Sequence, residues 1–295
     1  MRARIVAFAA LFLSFAAAAQ EASPGPVGSE TGPDREQLHW VPYPAPPAQR
    51  QALLFMRVCR PPGAGPHKLA VINHGSPPVA DHRPTMEPIG CAHEAARWFL
   101  ERGFAIAVPM RRGYGRTGGR WMENYGTCAE PDFHRAGLTS ANDVQAAVAY
   151  ARALPFARKD AVVVVGQSAG GWATVALSSR NPDVAALINF AGGRAGRQNN
   201  RPNNNCAPAK LIEAAGRFGA SARLPMLWIY TPNDSYLAPE ITKPMHETYV
   251  RAGGLARFAF MPEFGSDGHF LFGGRGGSRI WGPVVETYLA ERGLN

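Results

Sequence analysis

The chain has 295 residues, of which 46% are hydrophobic and 18% charged, and its formal net charge is +9 at pH 7. A chain of this length can bury a sizeable core and lies near the upper end of what one domain holds. The positive charge does not indicate a nucleic-acid partner, because the basic residues are mostly scattered arginines with no run interleaved with aromatic residues. We therefore expect one domain with an arginine-rich, solvated surface.

The N-terminal segment has the pattern of a secretory signal peptide. Two arginines precede an apolar stretch at residues 5–16, and small residues follow up to Ala19, where cleavage is predicted. The apolar stretch is shorter than the roughly 20 residues that span a bilayer, although a retained membrane anchor is the alternative. We predict an exported protein, periplasmic or secreted, with no stable membrane insertion after cleavage.

Residues 20–51 are rich in Pro, Gly, Ala and Ser, and we interpret them as an extended lead-in. Beyond them, short apolar runs alternate with helical patterns. The predicted strands are residues 53–58, 68–72, 104–108, 161–165, 185–190, 226–230 and 256–261. The predicted helices are residues 90–102, 140–153, 170–179, 239–252 and 282–292. Polar residues 139–143 offer N-cap groups for the second of these helices.

This alternation is typical of a mostly parallel sheet with helices on both faces. Several of the runs are almost wholly apolar, as strands covered on both faces should be. We therefore predict an α/β fold with a central sheet of about eight strands, formed by residues 52–295. An Asn-rich, loop-rich insertion at residues 192–208 interrupts the alternation, and it forms either a lid or a plain surface loop.

Four cysteines are present, and in an exported protein they can close two disulfides. Of the three pairings, we prefer one that joins Cys128 to Cys206, because both lie in irregular segments; unpaired cysteines are the alternative. Neither Cys59 nor Cys91 has His or Cys at metal-ligand spacing, so no metal site is predicted.

The strongest local signal is a G-x-S-x-G motif centred on Ser168, with Gly166 and Gly170 on either side. It directly follows a predicted strand and precedes a predicted helix, which is the context this motif requires. A serine on such a tight turn projects its hydroxyl from the carboxyl edge of the sheet. The motif therefore predicts that Ser168 is a nucleophile.

A serine hydroxyl needs a base, and the base needs a carboxylate that orients it. His269 is the last histidine of the chain and lies in a glycine-rich loop after the last predicted strand. Asp234 follows the strand before it, so the chain order is Ser, Asp, His. Asp267 and Glu263 are the competing acids; Asp267 is disfavoured because a side chain rarely reaches a ring two positions along the chain.

Two backbone N–H groups are expected to form an oxyanion hole. Ala169, directly after the nucleophile, provides one of them. Ser76 provides the other, in a loop after an early predicted strand where Gly75 allows close approach and two prolines stiffen the chain. We expect His74 to hold this loop by hydrogen bonds.

Several aromatic residues follow these motifs, and Tyr114, Trp172 and Tyr236 are candidate substrate-binding residues. Trp121 and Tyr125 are further candidates for the same aromatic wall. Packing in the core is the alternative for each of them.

The segments at residues 74–76, 111–119, 166–171, 233–236 and 267–269 resemble the dienelactone hydrolase-like and prolyl-oligopeptidase-like branch of the α/β-hydrolase superfamily. The resemblance extends from about residue 50 to the end of the chain. It implies an α/β-hydrolase fold, a Ser-Asp-His triad and hydrolysis of esters or peptides without a metal ion or cofactor. Dienelactone hydrolases in the strict sense use a cysteine where this chain has Ser168, so their substrate is not carried over.

The sequence thus favours a serine esterase that acts on small or aromatic carboxylic esters through an acyl-enzyme intermediate. The alternative is a serine peptidase of the prolyl-oligopeptidase type that acts on short peptides, because the chain has no room for a large β-propeller. A non-catalytic binding protein on a hydrolase scaffold is a remote third hypothesis. The expected partner is a small-molecule ester, and the sequence does not indicate an oligomeric state.

Overall fold

The computed structural model describes residues 22–44 and 52–295. The predicted signal peptide at residues 1–19 lies outside the described residues. The strands are β1 Gly25–Thr31, β2 Glu36–Tyr43, β3 Ala52–Cys59, β4 His67–Asn73, β5 Phe104–Pro109, β6 Ala157–Gln167, β7 Ala186–Phe190, β8 Met226–Tyr230 and β9 Ala256–Phe260. The helices are α1 Glu94–Leu100, α2 Phe133–Arg152, α3 Ala169–Ser178, α4 Pro208–Gly219, α5 Pro239–Arg251 and α6 Gly277–Glu291.

All of the strands belong to one nine-stranded sheet with the order β1-β2-β3-β5-β4-β6-β7-β8-β9. The pairs β1/β2, β2/β3 and β3/β5 are antiparallel, and the pairs from β5 through β9 are parallel. The prediction of a mostly parallel α/β sheet is therefore confirmed. Because β4 to β9 run the same way, the loops that follow them meet at one edge of the sheet.

Strand β6 shows how the two layers of helices share the core. Val162 and Val164 point into an apolar cluster with α2, α3, α4 and α5 on one face of the sheet. Val163 and Val165 point into a second cluster with α1 and α6 on the other face. All four valines are at most 1% exposed, and burial of each contributes about 1.5–3 kcal/mol. This burial fixes the strand that leads to the Ser168 turn.

The N-terminal part of the sheet differs from the sequence prediction. Strands β1 and β2 lie within residues 20–51, which were interpreted as a lead-in, so among the described residues the sheet begins at Gly25 and not at residue 52. Nearly all of β1 is exposed at the sheet edge, so it lacks the buried apolar positions that mark a strand in a sequence.

Helices α4 and α2 differ most from prediction. Helix α4 was not predicted at all, because it directly follows the loop-rich insertion. Helix α2 begins at Phe133 and is capped by Asp132, whose carboxylate accepts from the Arg135 N–H. The residues predicted as caps lie inside this helix, where Thr139 and Ser140 donate to carbonyl oxygens one turn back.

Two disulfides are present, Cys59–Cys91 and Cys128–Cys206. The second is the pair that the sequence analysis preferred. It joins the segment before α2 to the segment before α4, with 5.2 Å between the Cα atoms. Within the part of the chain that the structure describes, no helix is long and apolar enough to span a membrane.

Candidate active site

Ser168 lies on the turn between β6 and α3, where its backbone has φ 57° and ψ −120°. A non-glycine residue rarely adopts such a conformation, so the surrounding backbone must hold it. Gly166 and Gly170 make this possible. A Cβ at Gly166 would collide with the carbonyl of Gly170, and a Cβ at Gly170 would collide with the carbonyl of Asn73. The turn therefore has the geometry that the G-x-S-x-G motif predicts.

His269 and Asp234 form a buried hydrogen-bonded pair. His269 Nδ1 lies 3.0 Å from each carboxylate oxygen of Asp234. The carboxylate is itself fixed, because its Oδ1 accepts from the N–H groups of Tyr236 and Leu237 at 2.8 and 2.9 Å. With the Nδ1–H donated to Asp234, Nε2 of the imidazole is the nitrogen able to accept a proton.

Asp267, the competing acid, has a different place. It accepts from the N–H groups of Ser235 and His269, both at 3.0 Å, and from the Ser235 hydroxyl. These contacts shape the turn that carries His269 and leave the imidazole to Asp234. Glu263, the other competitor, is exposed.

Ser168, Ala169, His269 and Ser76 all line one cavity of about 540 Å³. The predicted nucleophile, base and oxyanion donors therefore face the same space, with Asp234 behind the base. Among the described residues, Ser168 Oγ makes no hydrogen bond to His269. Such contacts are often long in ligand-free sites and tighten when substrate binds.

The loop that follows β4 lies against the Ser168 turn. A Cβ at Gly75 would come within 2.7 Å of Gln167 Oε1 and 3.1 Å of Ser168 Cβ, so only glycine fits without a shift. Gln167 is also held in place, because its Nε2 donates to the His269 carbonyl at 3.0 Å. In the described part of the chain, the N–H groups of Ser76 and Ala169 have no acceptor. Both donors are therefore free to bind an oxyanion.

Behind this loop lies a buried arginine cluster, formed by Arg111, Glu123 and Arg194. Glu123 is 0% exposed and forms ion pairs with both guanidinium groups. Arg111 also donates to the His74 carbonyl at 2.7 Å, and its N–H donates to His74 Nε2 at 3.1 Å. His74 thus holds the loop by hydrogen bonds, as predicted. The role of the cluster was not predicted, since Arg194 comes from a different loop from Arg111 and Glu123 and no local motif joins the three residues.

The charges of this cluster shift two pKa values. Burial alone would raise the pKa of Glu123, but the guanidinium groups of Arg111 and Arg194 lower it to about 2. Burial and the nearby Arg111 lower the pKa of His74 to about 3. At neutral pH Glu123 is therefore a carboxylate and His74 a neutral acceptor.

Two of the predicted substrate-binding residues do not line the cavity. Tyr114 is fully buried and hydrogen-bonds to Ser76 Oγ and Glu123, and Trp172 is fully buried with its indole N–H donating to the Phe133 carbonyl. Both are therefore corrected to packing residues. A side chain in the first turn of α3 points into the layer formed by α2 and α4, away from the nucleophile.

The third candidate, Tyr236, does line the cavity and stacks on the His269 ring, with 4.1 Å between the ring centroids. Trp121 and Tyr125 line it as well. So do residues 193–200 of the Asn-rich insertion, which form one wall. Among the described residues, no cluster of three or more His, Cys, Asp or Glu side chains could hold a metal ion.

Part of the chain matches a known protein family. Residues 92–190, about a third of the chain, match the model of the prolyl oligopeptidase family. No curated protein matches the sequence. The resemblance to this group that the motifs predicted is confirmed.

This chain is similar to two kinds of solved structure. A Klebsiella pneumoniae protein assigned as a dienelactone hydrolase is 15% identical, with a TM-score of 0.54, and the match covers 88% of this chain and 99% of that one. The Pyrococcus furiosus esterase Pf2001 is 14% identical, with a TM-score of 0.58, over 92% of this chain and 99% of the esterase.

Porphyromonas gingivalis dipeptidyl peptidase 4 is 16% identical, with a TM-score of 0.59, over 89% of this chain. The match covers only 36% of the peptidase, so this chain spans about a third of that protein's length. At such low identities the matches establish the architecture. The chain therefore has the α/β-hydrolase fold.

Proposed function

We propose that this protein is a serine hydrolase that cleaves carboxylic esters through an acyl-enzyme intermediate on Ser168. The observation that carries the proposal is the buried pair of His269 and Asp234, which lies beside the same cavity as a serine on a strained turn. A protein that only bound a ligand would have no need to keep this serine in a strained conformation.

The proposed reaction has two halves. In the first, His269 Nε2 takes the proton of Ser168 Oγ, which attacks the ester carbonyl, and the imidazolium then protonates the departing alcohol. In the second, His269 deprotonates a water molecule that attacks the acyl-enzyme, and the proton returns to Ser168. Asp234 holds the imidazole in the required tautomer and stabilises the imidazolium.

Both tetrahedral intermediates carry a negative oxygen. The N–H groups of Ser76 and Ala169, which have no acceptor among the described residues, are the proposed donors to it. The arginine cluster holds the Ser76 loop from behind. A donor of this kind typically contributes about 3 kcal/mol to lowering the barrier.

A serine peptidase is the second candidate, and the match to the prolyl oligopeptidase family supports it. The esterase hypothesis ranks first because the match covers 99% of the Pyrococcus esterase but only 36% of the dipeptidyl peptidase.

We also propose that the protein is exported. The two disulfides support this, because such bonds persist mainly in oxidising compartments. The signal-peptide pattern at residues 1–19 supports it independently.

The test is hydrolysis of p-nitrophenyl esters of increasing acyl length and of aminoacyl p-nitroanilides, with Ser168→Ala protein as the control. Ester turnover that disappears in the variant supports the esterase. Peptide turnover alone would favour the peptidase, and ester turnover that persists unchanged in Ser168→Ala would overturn the serine mechanism.

A further inference from the structure

The charged side chains that line the cavity are all of one sign. Its lining includes Arg83, Arg194 and Arg197 and, in the described part of the chain, neither Asp nor Glu. Most ester substrates are neutral and gain little from such a lining. A positive lining can instead attract a negatively charged group elsewhere on the substrate.

Arg83 is the least compensated of the three arginines. Its guanidinium lies over the Trp121 ring, 3.9 Å from the ring centroid, and the side chain is half-buried. Among the described residues, the guanidinium of Arg83 forms no ion pair or hydrogen bond. Stacking on an aromatic ring fixes the position of a guanidinium. Its N–H donors lie in the plane of the guanidinium and stay free to bind another group.

Arg197 lies on the wall of the cavity that residues 193–200 form. Its guanidinium lies 5.2 Å from the centroid of the Tyr236 ring, which itself stacks on His269. It donates to Ser235 Oγ at 2.7 Å and to the carbonyl and Oδ1 of Asn200, both at 3.3 Å, whereas its Nε–H has no acceptor among the described residues. Its closest carboxylate is Asp267 at 3.9 Å. At this distance the attraction is weaker than in a hydrogen-bonded ion pair, so Asp267 compensates the charge of Arg197 only in part.

Arg194 adds to this field from behind. It shares the single carboxylate of Glu123 with Arg111, so two guanidinium groups face one acid. Its Nε–H has no acceptor among the described residues. The cluster is buried, where a charge is screened less than at the surface, and its excess positive charge lies next to the cavity.

From these contacts we infer that the cavity binds substrates that carry a carboxylate in addition to the ester, with Arg83 and Arg197 as the groups that recognise it. A guanidinium presents donors in a plane that matches a carboxylate. The inference rests on the proposed esterase function and names its substrate class: half-esters of dicarboxylic acids, or esters of carboxylated alcohols and phenols.

The test compares ester pairs that differ only in this charge. Mono-p-nitrophenyl adipate and p-nitrophenyl adipamate differ in the acyl part, as carboxylate against neutral amide. The ions of 4-acetoxybenzoate and the neutral 4-acetoxybenzamide differ in the leaving group. In at least one pair, we expect the anionic ester to have a kcat/KM about tenfold higher or more. Raising the salt from about 0.05 M to about 0.5 M should reduce the preference.

Two variants assign the effect to residues. Arg83→Gln and Arg197→Gln should each reduce the ratio of kcat/KM for the anionic ester to that for the neutral ester about tenfold. Arg201→Gln is the matched control, since Arg201 is exposed on the same insertion and does not line the cavity. We expect it to keep the full preference.

Failure of the inference is distinguishable from failure of the esterase function. Serine-dependent hydrolysis with no preference for the anionic ester in either pair would overturn the inference and leave the esterase intact. If no ester is hydrolysed, titration calorimetry with adipate and adipamide decides. Binding of adipate alone that is lost in Arg83→Gln and Arg197→Gln would support the anion site, and equal or absent binding of both would overturn it.

Discussion

Two polar centres lie side by side at the carboxyl edge of the sheet, and they are built in opposite ways. Ser168 directly follows β6 and Asp234 comes shortly after β8, so the order of parallel strands brings them together. In the buried arginine cluster, Glu123 and Arg194 come from long irregular loops. The first centre opens to the cavity, whereas Glu123 is 0% exposed. Local sequence therefore specifies the chemistry, and long-range packing specifies the walls around it.

The largest expected effect separates the two acids near His269. We predict that Asp234→Asn lowers kcat for ester hydrolysis about 10,000-fold, because the amide no longer favours the required tautomer. The matched control, Asp267→Asn, should lower kcat less than about tenfold, because the only group of His269 that Asp267 contacts among the described residues is the backbone N–H and not the imidazole. Steady-state kinetics with a p-nitrophenyl ester measure both. Equal losses would show that the acid has been assigned wrongly.

A substitution in the arginine cluster should change the stability of the fold more than the rate of hydrolysis. We predict that Glu123→Gln lowers the free energy of unfolding by about 3–5 kcal/mol, because two buried guanidinium groups lose their only shared acid. Urea unfolding measures this, with the exposed Glu130→Gln as control. A loss no larger than that of the control would mean that the cluster does not stabilise the fold.

The same variant has a defined pH dependence. The pKa of Glu123 is lowered from 4.5 to about 2 in the folded protein. Its stabilising contribution is thus complete above the unfolded-state pKa and is lost as the pH falls towards the folded-state value. The difference in unfolding free energy between the wild type and Glu123→Gln should therefore narrow between pH 4.5 and about pH 2.

A smaller effect is expected where the two centres touch. Gly75→Ala places a methyl group against Gln167 and Ser168, so the oxyanion loop must shift. We predict a loss in kcat of about tenfold to a hundredfold with little change in KM. Gly90→Ala is the matched control, because its Cβ would meet only Arg57 Nη1, at 3.5 Å. Unchanged kcat in Gly75→Ala would argue against a Ser76 donor.

The smallest effect should come from Ser76→Ala. This change removes the contact of Ser76 Oγ with Tyr114 but keeps the backbone N–H that is proposed to bind the oxyanion. We predict less than about a threefold change in kcat, measured with the same esters. A loss as large as that of Gly75→Ala would assign the donor role to the hydroxyl.

The sequence predicted those parts of the fold whose signals are local. The strands from β3 to β9 each carry an apolar run, and Ser168 lies in a motif that spans five residues. Strand β1 was missed because an exposed edge strand has no such run. Helix α4 was missed because the Asn-rich insertion before it obscures where the helix begins.

In the site, too, only the residues with local sequence signals could be predicted. His269 and Asp234 each follow a strand that the sequence marks, and the structure brings them to 3.0 Å. The sequence does not tell which aromatic residues face the cavity. Trp172 follows the nucleophile by one turn and points into the core, and Tyr114 belongs to the layer behind the oxyanion loop. Side-chain direction depends on the packing of the whole domain.

The Cys128–Cys206 disulfide has a practical consequence for anyone who prepares this protein. It links the segment that follows Trp121 and Tyr125 to the insertion that carries Arg197, so it couples two opposite walls of the cavity. Ser168, His269 and Asp234 lie on segments that the disulfide does not join. We expect that material produced in a reducing cytosol hydrolyses esters but selects among them less strictly. Comparing the preference for anionic over neutral esters before and after treatment with a reductant would show whether this preference depends on the disulfide.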